Sequence, residues 1–190
     1  TINGPANGQL EVTANLQSRV FTHTGSGALT LQNLYLFEGK IDTTGVAEGG
    51  CIYSLGAVAL IDTKVKYCRA YSSSDVAFGG AIYAAGSVGL NGSTIAVATA
   101  NGSQAAGGAI FTRDFTAKYS EVASSTAIST DFPSSAGGVL AEGNVLITHS
   151  TIFNNTADQV GGLDIGGAYA NARSVILNST ISNNTAYDSV

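Results

Sequence analysis

The sequence predicts an all-β fold, a single-stranded parallel β-helix of about six coils. Three observations predict it. First, glycine pairs open similar segments: Gly49-Gly50-Cys51-Ile52-Tyr53, Gly79-Gly80-Ala81-Ile82-Tyr83, Gly107-Gly108-Ala109-Ile110-Phe111, Gly137-Gly138-Val139-Leu140-Ala141 and Gly166-Gly167-Ala168-Tyr169-Ala170. They recur every 28 to 30 residues, the mark of a stacked repeat. Second, aliphatic residues between the pairs alternate with the strand period of two, and no helical period occurs. Third, each repeat carries three short strand patterns, too many to fold back as hairpins while keeping every copy alike. Wound as a coil, each strand pairs with its equivalent one turn later, ~4.8 Å away, and equivalent residues stack in columns.

Composition bounds the rest. The 190 residues suffice for one domain with a substantial core. Only 11% are charged, yet 44% are hydrophobic and regularly placed, which excludes a disordered chain. The net charge of -5, with no basic stripe, argues against nucleic acid as a partner. No apolar run is long enough for a transmembrane segment. The glycine pairs open strands, not helices, so no phosphate loop is present and no cofactor is expected. The chain begins at Thr1 and contains no Met, as a processed product or excised segment would. The repeats are expected to continue beyond Val190 in a parent protein. Uncapped coils would then associate end to end.

Residues 1–27 read as a lead-in or cap, or an incomplete first coil. Leu10-Glu11-Val12 and Arg19-Val20-Phe21 are strand-like, and Asn3-Gly4-Pro5 and Asn7-Gly8 are turn signals. Residues 28–190 hold the repeats. One column is formed by Leu29/Leu31, Val58/Leu60, Val88/Leu90, Val145/Ile147 and Val175/Leu177. In the copy between, Thr116 and Lys118 fall at these places, so either the register shifts or the lysine is paired. A second signature follows in Ser93-Thr94-Ile95, Ser150-Thr151-Ile152 and Ser179-Thr180-Ile181, with Val65 and Val122 in weaker copies. Three residues on comes a small or polar site: Cys68, Ala98, Ser125, Asn155 and Asn184. Two further on stands Ala70, Ala100, Ala127, Ala157 or Ala186. A variable polar segment then leads to the next glycine pair, as a loop outside the core would.

These signatures resemble those of bacterial surface and secreted β-helix proteins associated with the CSLREA domain. Gly79–Tyr83 and Ser179–Ala186 are close to that pattern, and Thr1-Ile2-Asn3-Gly4-Pro5 and Ser18-Arg19-Val20-Phe21 look like its usual lead-in. Chlamydial polymorphic outer membrane proteins are similar through Gly-Gly-Ala-Ile repeats, within the wider pectin-lyase-like superfold. The resemblance covers essentially the whole chain. It implies a right-handed coil, export, an extracellular or cell-surface place, and a structural or adhesive role. The implied partners are neighbouring protein chains or cell-surface carbohydrate. It brings no catalytic residues to carry over.

The candidate sites are few. With Ile52, Ile82 and Ile110 inward, Tyr53, Tyr83 and Phe111 become an outward aromatic ladder able to stack on sugar rings. The opposite parity would bury the rings. Arg113, Asp114, Lys118 and Glu142 form the densest charged group on adjacent coils and are the catalytic candidates of a polysaccharide-cleaving alternative. Asp75, Asp131 and Asp158 lie in the variable segments and are candidates for weak calcium binding, against the plainer reading of a solvated rim. His23 and His149 lack metal-ligand spacing. Cys51 opens the first strand of its coil and Cys68 ends the third strand of the same coil. A three-sided coil brings those ends together, so a disulfide is open to them. Equally, both columns hold small residues elsewhere, and each cysteine could serve as one more.

Overall fold

A computed structural model of the chain describes residues 1–6, 9–166 and 172–187, and all its regular structure is β. The strands pair in parallel, each with its equivalent one coil on. They build sheets of eleven, seven and six strands, and a fourth of three. The chain is therefore a parallel β-helix. The residues of the lead-in already pair as a first coil, Leu10–Thr13 with Leu34–Phe37 and Phe21–His23 with Ile52–Ser54. The Asn7-Gly8 turn lies outside the described residues.

The fourth sheet, Ala47–Glu48, Ala77–Phe78 and Ala105–Ala106, goes beyond the three strands per coil read from the sequence. It exists because the corner beside it is lined by alanine. Ala47, Ala77 and Ala105 pack against Ala70, Ala100, Ala127 and Ala157 in a cluster of their own. Side chains this small let two sheets meet at close range.

The main core is the expected set of columns. Val12, Leu36, Val65, Ile95, Val122, Ile152 and Ile181 are register partners up the seven-stranded sheet. Where the sequence offers Thr116 and Lys118, the register shifts. An irregularity between Ala84 and Ser87 drops one residue, so Phe115 pairs with Val88 and Ala117 with Leu90. A one-residue slip exchanges the two faces of a strand, and Lys118 is exposed. Phe115 is fully buried. A larger residue beside a smaller one roughly conserves the volume that Val88 and Leu90 fill.

Three further registers depart from the sequence reading. Val139, not Leu140, pairs with Ile110, so Ala136-Gly137-Gly138 stands where Gly107-Gly108-Ala109 stands one coil below. Leu163 pairs with Val139, so Gly161-Gly162 precedes the next strand, Leu163–Ile165. The expected pair at Gly166-Gly167 is not that strand's opening, and Gly167-Ala168-Tyr169-Ala170 lies outside the described residues. In the last coil Ser174 pairs with Val145 and Ile176 with Ile147, so Val175 and Leu177 face outward from that column. For the glycine pairs the reason is visible at Gly50. A Cβ there would lie 2.4 to 2.5 Å from the carbonyl oxygen of Gly80 and the backbone of Arg69. The second glycine is fixed by close approach; the first combines a positive φ, 63° at Gly49, with a Cβ position that faces the Ile52 carbonyl oxygen, and Ala136 takes the same place at φ 54°.

Polar ladders lock the coils together. Thr63, Ser93, Ser120, Ser150 and Ser179 each return their hydroxyl to the carbonyl two residues earlier. Each hydroxyl oxygen also accepts the backbone N–H at the same place one coil below, 29, 30, 27, 30 and 29 residues back. A second ladder runs through Ala98 N–H, Ser125, Asn155 and Asn184. Among the described residues no buried side-chain polar atom lacks a partner. Desolvation of these groups is thus compensated throughout.

Candidate functional site

Ile52, Ile82 and Ile110 are fully buried, and strand alternation turns Tyr53, Tyr83 and Phe111 outward, half-buried. Parallel register stacks the three rings. Tyr53 and Tyr83 have centroids 5.6 Å apart and planes at 8°, and Tyr83 and Phe111 are 5.6 Å apart at 11°. Phe78, from the fourth sheet, tilts against Phe111 at 4.7 Å. Each such pair contributes ~0.5–1.5 kcal/mol beyond area burial. Arg19 closes the lower end, its guanidinium 5.2 Å from the Tyr53 centroid. The same Arg19 Nε donates to the carbonyls of Glu48 and Gly49, at 3.0 and 3.1 Å.

Glu48 joins this group through the Tyr83 hydroxyl, which donates to its carboxylate. Burial pushes the Glu48 carboxyl up, opposed by the Tyr83 hydrogen bond and the Arg19 charge. Burial, then the charge and hydrogen bond of Glu48, push Tyr83 up to about 12. Burial also lowers Arg19, against the opposing pull of Glu48 and Tyr53. Tyr83 is therefore a hydrogen-bond donor at any ordinary pH. Glu48 stood among the acidic residues of the variable segments, and neither it nor Arg19 was tied to the rings from the sequence. Register places Arg19 opposite Gly50, in a first coil where no glycine pair marks the place. Glu48 sits directly before Gly49, and that adjacency was the available signal.

The four catalytic candidates divide. Arg113 Nε donates to Asp114 at 2.9 Å. Asp114 also accepts the backbone N–H of Asn144 at 2.8 Å and its side-chain amide at 3.0 Å. Burial raises the Asp114 carboxyl, but Asn144 and Arg113 outweigh it and hold it below the usual range. Asp114 thus clasps one coil to the next. Lys118 lies at the other end of the same strand, Ile110–Lys118, about 13 Å away by strand rise. Its ammonium is 5.2 Å from the Tyr119 ring centroid. The Glu142 charge acts on Tyr83.

The calcium candidates serve turns. Asp75 accepts the Val76 N–H at 2.8 Å, and Asp158 accepts the Ser134 N–H and hydroxyl, each at 2.9 Å. Asp131 is exposed, with its N–H on the Ser103 carbonyl at 3.1 Å. Among the described residues no three His, Cys, Asp or Glu side chains gather as a metal site. His23 Nδ1 lies 2.9 Å from the Ser54 hydroxyl, and His149 packs 5.0 Å from Tyr119. Cys51 and Cys68 are bridged, their Cα atoms 5.4 Å apart, and both are fully buried.

Fold and lateral network define a disulfide-bridged parallel β-helix bearing an external aromatic ladder. Set against family models, curated proteins and solved structures, the chain matches none of them.

Proposed function

We propose that this chain is part of an exported bacterial β-helix with a structural or adhesive role, a rigid stalk, passenger or surface-assembly module. The observation that carries the reading is the Cys51–Cys68 bridge inside a coil, because disulfides persist in oxidising compartments. The hydroxyl ladder supports rigidity, since each coil is tied to the next at the same interior place. The resemblance to CSLREA-associated and polymorphic outer membrane proteins supports the cell surface as its location. Its partners are neighbouring chains or cell-surface carbohydrate. Coils pair edge to edge within the chain, and the same pairing between copies would extend the stack. The test is attachment. Beads carrying the purified chain should adhere to bacterial or host surfaces, and light scattering should show growth with concentration. Absence of both would overturn the reading.

A second reading, a polysaccharide-binding or polysaccharide-cleaving domain of pectin-lyase-like type, is favoured by the Tyr53–Tyr83–Phe111 ladder. Release of new chain ends from uronate polymers would establish cleavage. Loss of glycan retention in Tyr83→Ala would establish binding.

A further inference from the structure

On the six-stranded sheet, away from the aromatic ladder, strand register lays out a small grid of outward side chains. Lys40, Arg69 and Thr99 stack in one column. Asp42, Tyr71 and Asn101 stack in the next. Rows are ~4.8 Å apart and columns about 6.6 Å, from strand spacing and twice the strand rise. These six residues line an open groove of about 370 Å³.

The grid is unbalanced in charge. Lys40 pairs with Asp42 at 2.7 Å. Arg69 is exposed and forms no ion pair among the described residues. The groove therefore keeps one uncompensated guanidinium, the group best shaped to hold a carboxylate through two parallel hydrogen bonds. Beside it, Tyr71 is 39% exposed and its ring engages no other ring among the described residues. The Thr99 hydroxyl and the Asn101 amide make no side-chain hydrogen bond to the described protein, so both remain free to donate and accept. One positive fork, one open aromatic ring and two neutral hydrogen-bonding groups form a set with a specific complement. That complement has one carboxylate, an apolar ring face and several hydroxyls.

We infer that this groove binds a glycan through a sugar unit bearing a single carboxylate. The carboxylate seats on Arg69, the sugar ring lies against Tyr71, and its hydroxyls meet Thr99 and Asn101. Above Thr99 the column continues as Thr126, Thr156 and Thr185. Their hydroxyls repeat at the coil spacing, near the length of one sugar unit, and give the rest of the glycan a track along the helix axis. The inference rests on the adhesive reading only for its ligand class. It places the contact on a different sheet from the aromatic ladder. A failed groove leaves bead attachment and self-association to be judged separately.

The experiment is titration of the intact chain by calorimetry and amide-shift mapping. The probes are sialyllactose and a glucuronate-terminated disaccharide, with lactose as the neutral control and a tetraglutamate peptide as the non-sugar control. Binding of either acidic sugar, with shifts at residues 69, 71, 99 and 101 and weakening by salt, is the expected result, and which one binds identifies the source. Arg69→Gln should lower affinity at least tenfold. Arg69→Lys should recover part of it, and Tyr71→Ala should lower it severalfold. Lys64→Ala, which removes an exposed cation on the seven-stranded sheet, should change nothing. Arg69 is exposed, so its variants should keep the wild-type melting temperature. No binding of either acidic sugar would overturn the inference, as would unchanged affinity in Arg69→Gln or equal binding of the peptide.

Discussion

Replacing Ser93 by Ala removes one rung of the internal hydroxyl ladder, and the structure sets the cost. The Ser93 hydroxyl accepts the Thr63 N–H at 3.1 Å and donates to the Asn91 carbonyl at 3.0 Å. Both Ser93 and Thr63 are 1% exposed, so no water replaces the lost group. The Asn91 carbonyl keeps a second donor, the Asp62 N–H at 2.9 Å. The Thr63 N–H keeps none, and a stranded buried donor costs about 1–3 kcal/mol. We expect Ser93→Ala to destabilise by about 2 kcal/mol, a large share of a typical 5–15. Ser93→Thr should restore most of it, because Thr63 occupies the same column one coil below. In urea the midpoint should fall with an unchanged slope. Hydrogen exchange at the Thr63 amide should accelerate in the alanine variant alone. Thr94→Ala, next in the chain and on the outward face of the strand Thr94–Ala96, is the control. Equal midpoints for Ser93→Ala and Thr94→Ala would refute the ladder's energetic role.

Val97 is a β-branched residue held at φ 56° in a corner column where Asn154 and Asn183 adopt 55° and 53°. Val97→Asn should therefore raise stability by about 1 kcal/mol, read from the melting temperature, and a fall would contradict the strain argument. Bridging Cys51 to Cys68, 17 residues apart, constrains the unfolded chain, so the double alanine variant should lose ~3 kcal/mol. Thiol titration of the unfolded, unreduced protein should find no free thiols, and two per chain would rule the bridge out. The folded value of Tyr83 lies above the unfolded one, so its contribution is complete below about 10 and is lost as pH rises to about 12. Burial also raises Tyr35, so phenolate absorbance should show a late-titrating component that loses its Tyr83 share in Tyr83→Phe and moves back towards 10 in Glu48→Gln. Val88→Asp, which buries an unpaired carboxylate, should abolish cooperative folding, whereas Ser103→Asp should be tolerated; equal stability would sink the inward assignment.

Most of the fold was legible because inward columns repeat chemically. Ile95, Ile152 and Ile181 each follow a Ser-Thr pair, and their alignment survives unaltered. Registers were legible only where length was constant. The residue lost between Thr112 and Asp114, opposite Ala84 to Ser87, and the shortened coil before Leu163 changed which residues align, and no local propensity marks either event. The aromatic ladder was legible through Ile52, Ile82 and Ile110, whose burial fixes the parity of their neighbours. Its charged ends were not. Arg19 and Glu48 lie outside any repeated motif and meet the rings only through the stacking of coils. The same holds for Asp114, whose partner Asn144 is thirty residues away and in contact only because the helix returns.

The coil separates the part of the sequence that must repeat from the part that is free to differ. An interior hydroxyl column tolerates steps of 27 or 30 residues because each serine needs only the next coil's N–H, not a fixed path between. Length variation is pushed outward into corners and loops, where it re-aims exposed side chains without disturbing a buried one. Phe115 and Ala117 show the limit of this freedom, since a slipped strand had to be filled at nearly constant volume. Outward columns carry no such restriction. Lys40, Arg69 and Thr99 differ at every step, as do Asp42, Tyr71 and Asn101, although their backbones are equivalent. On a scaffold whose interior enforces sameness, chemistry that changes from coil to coil on one exposed face is where recognition can reside.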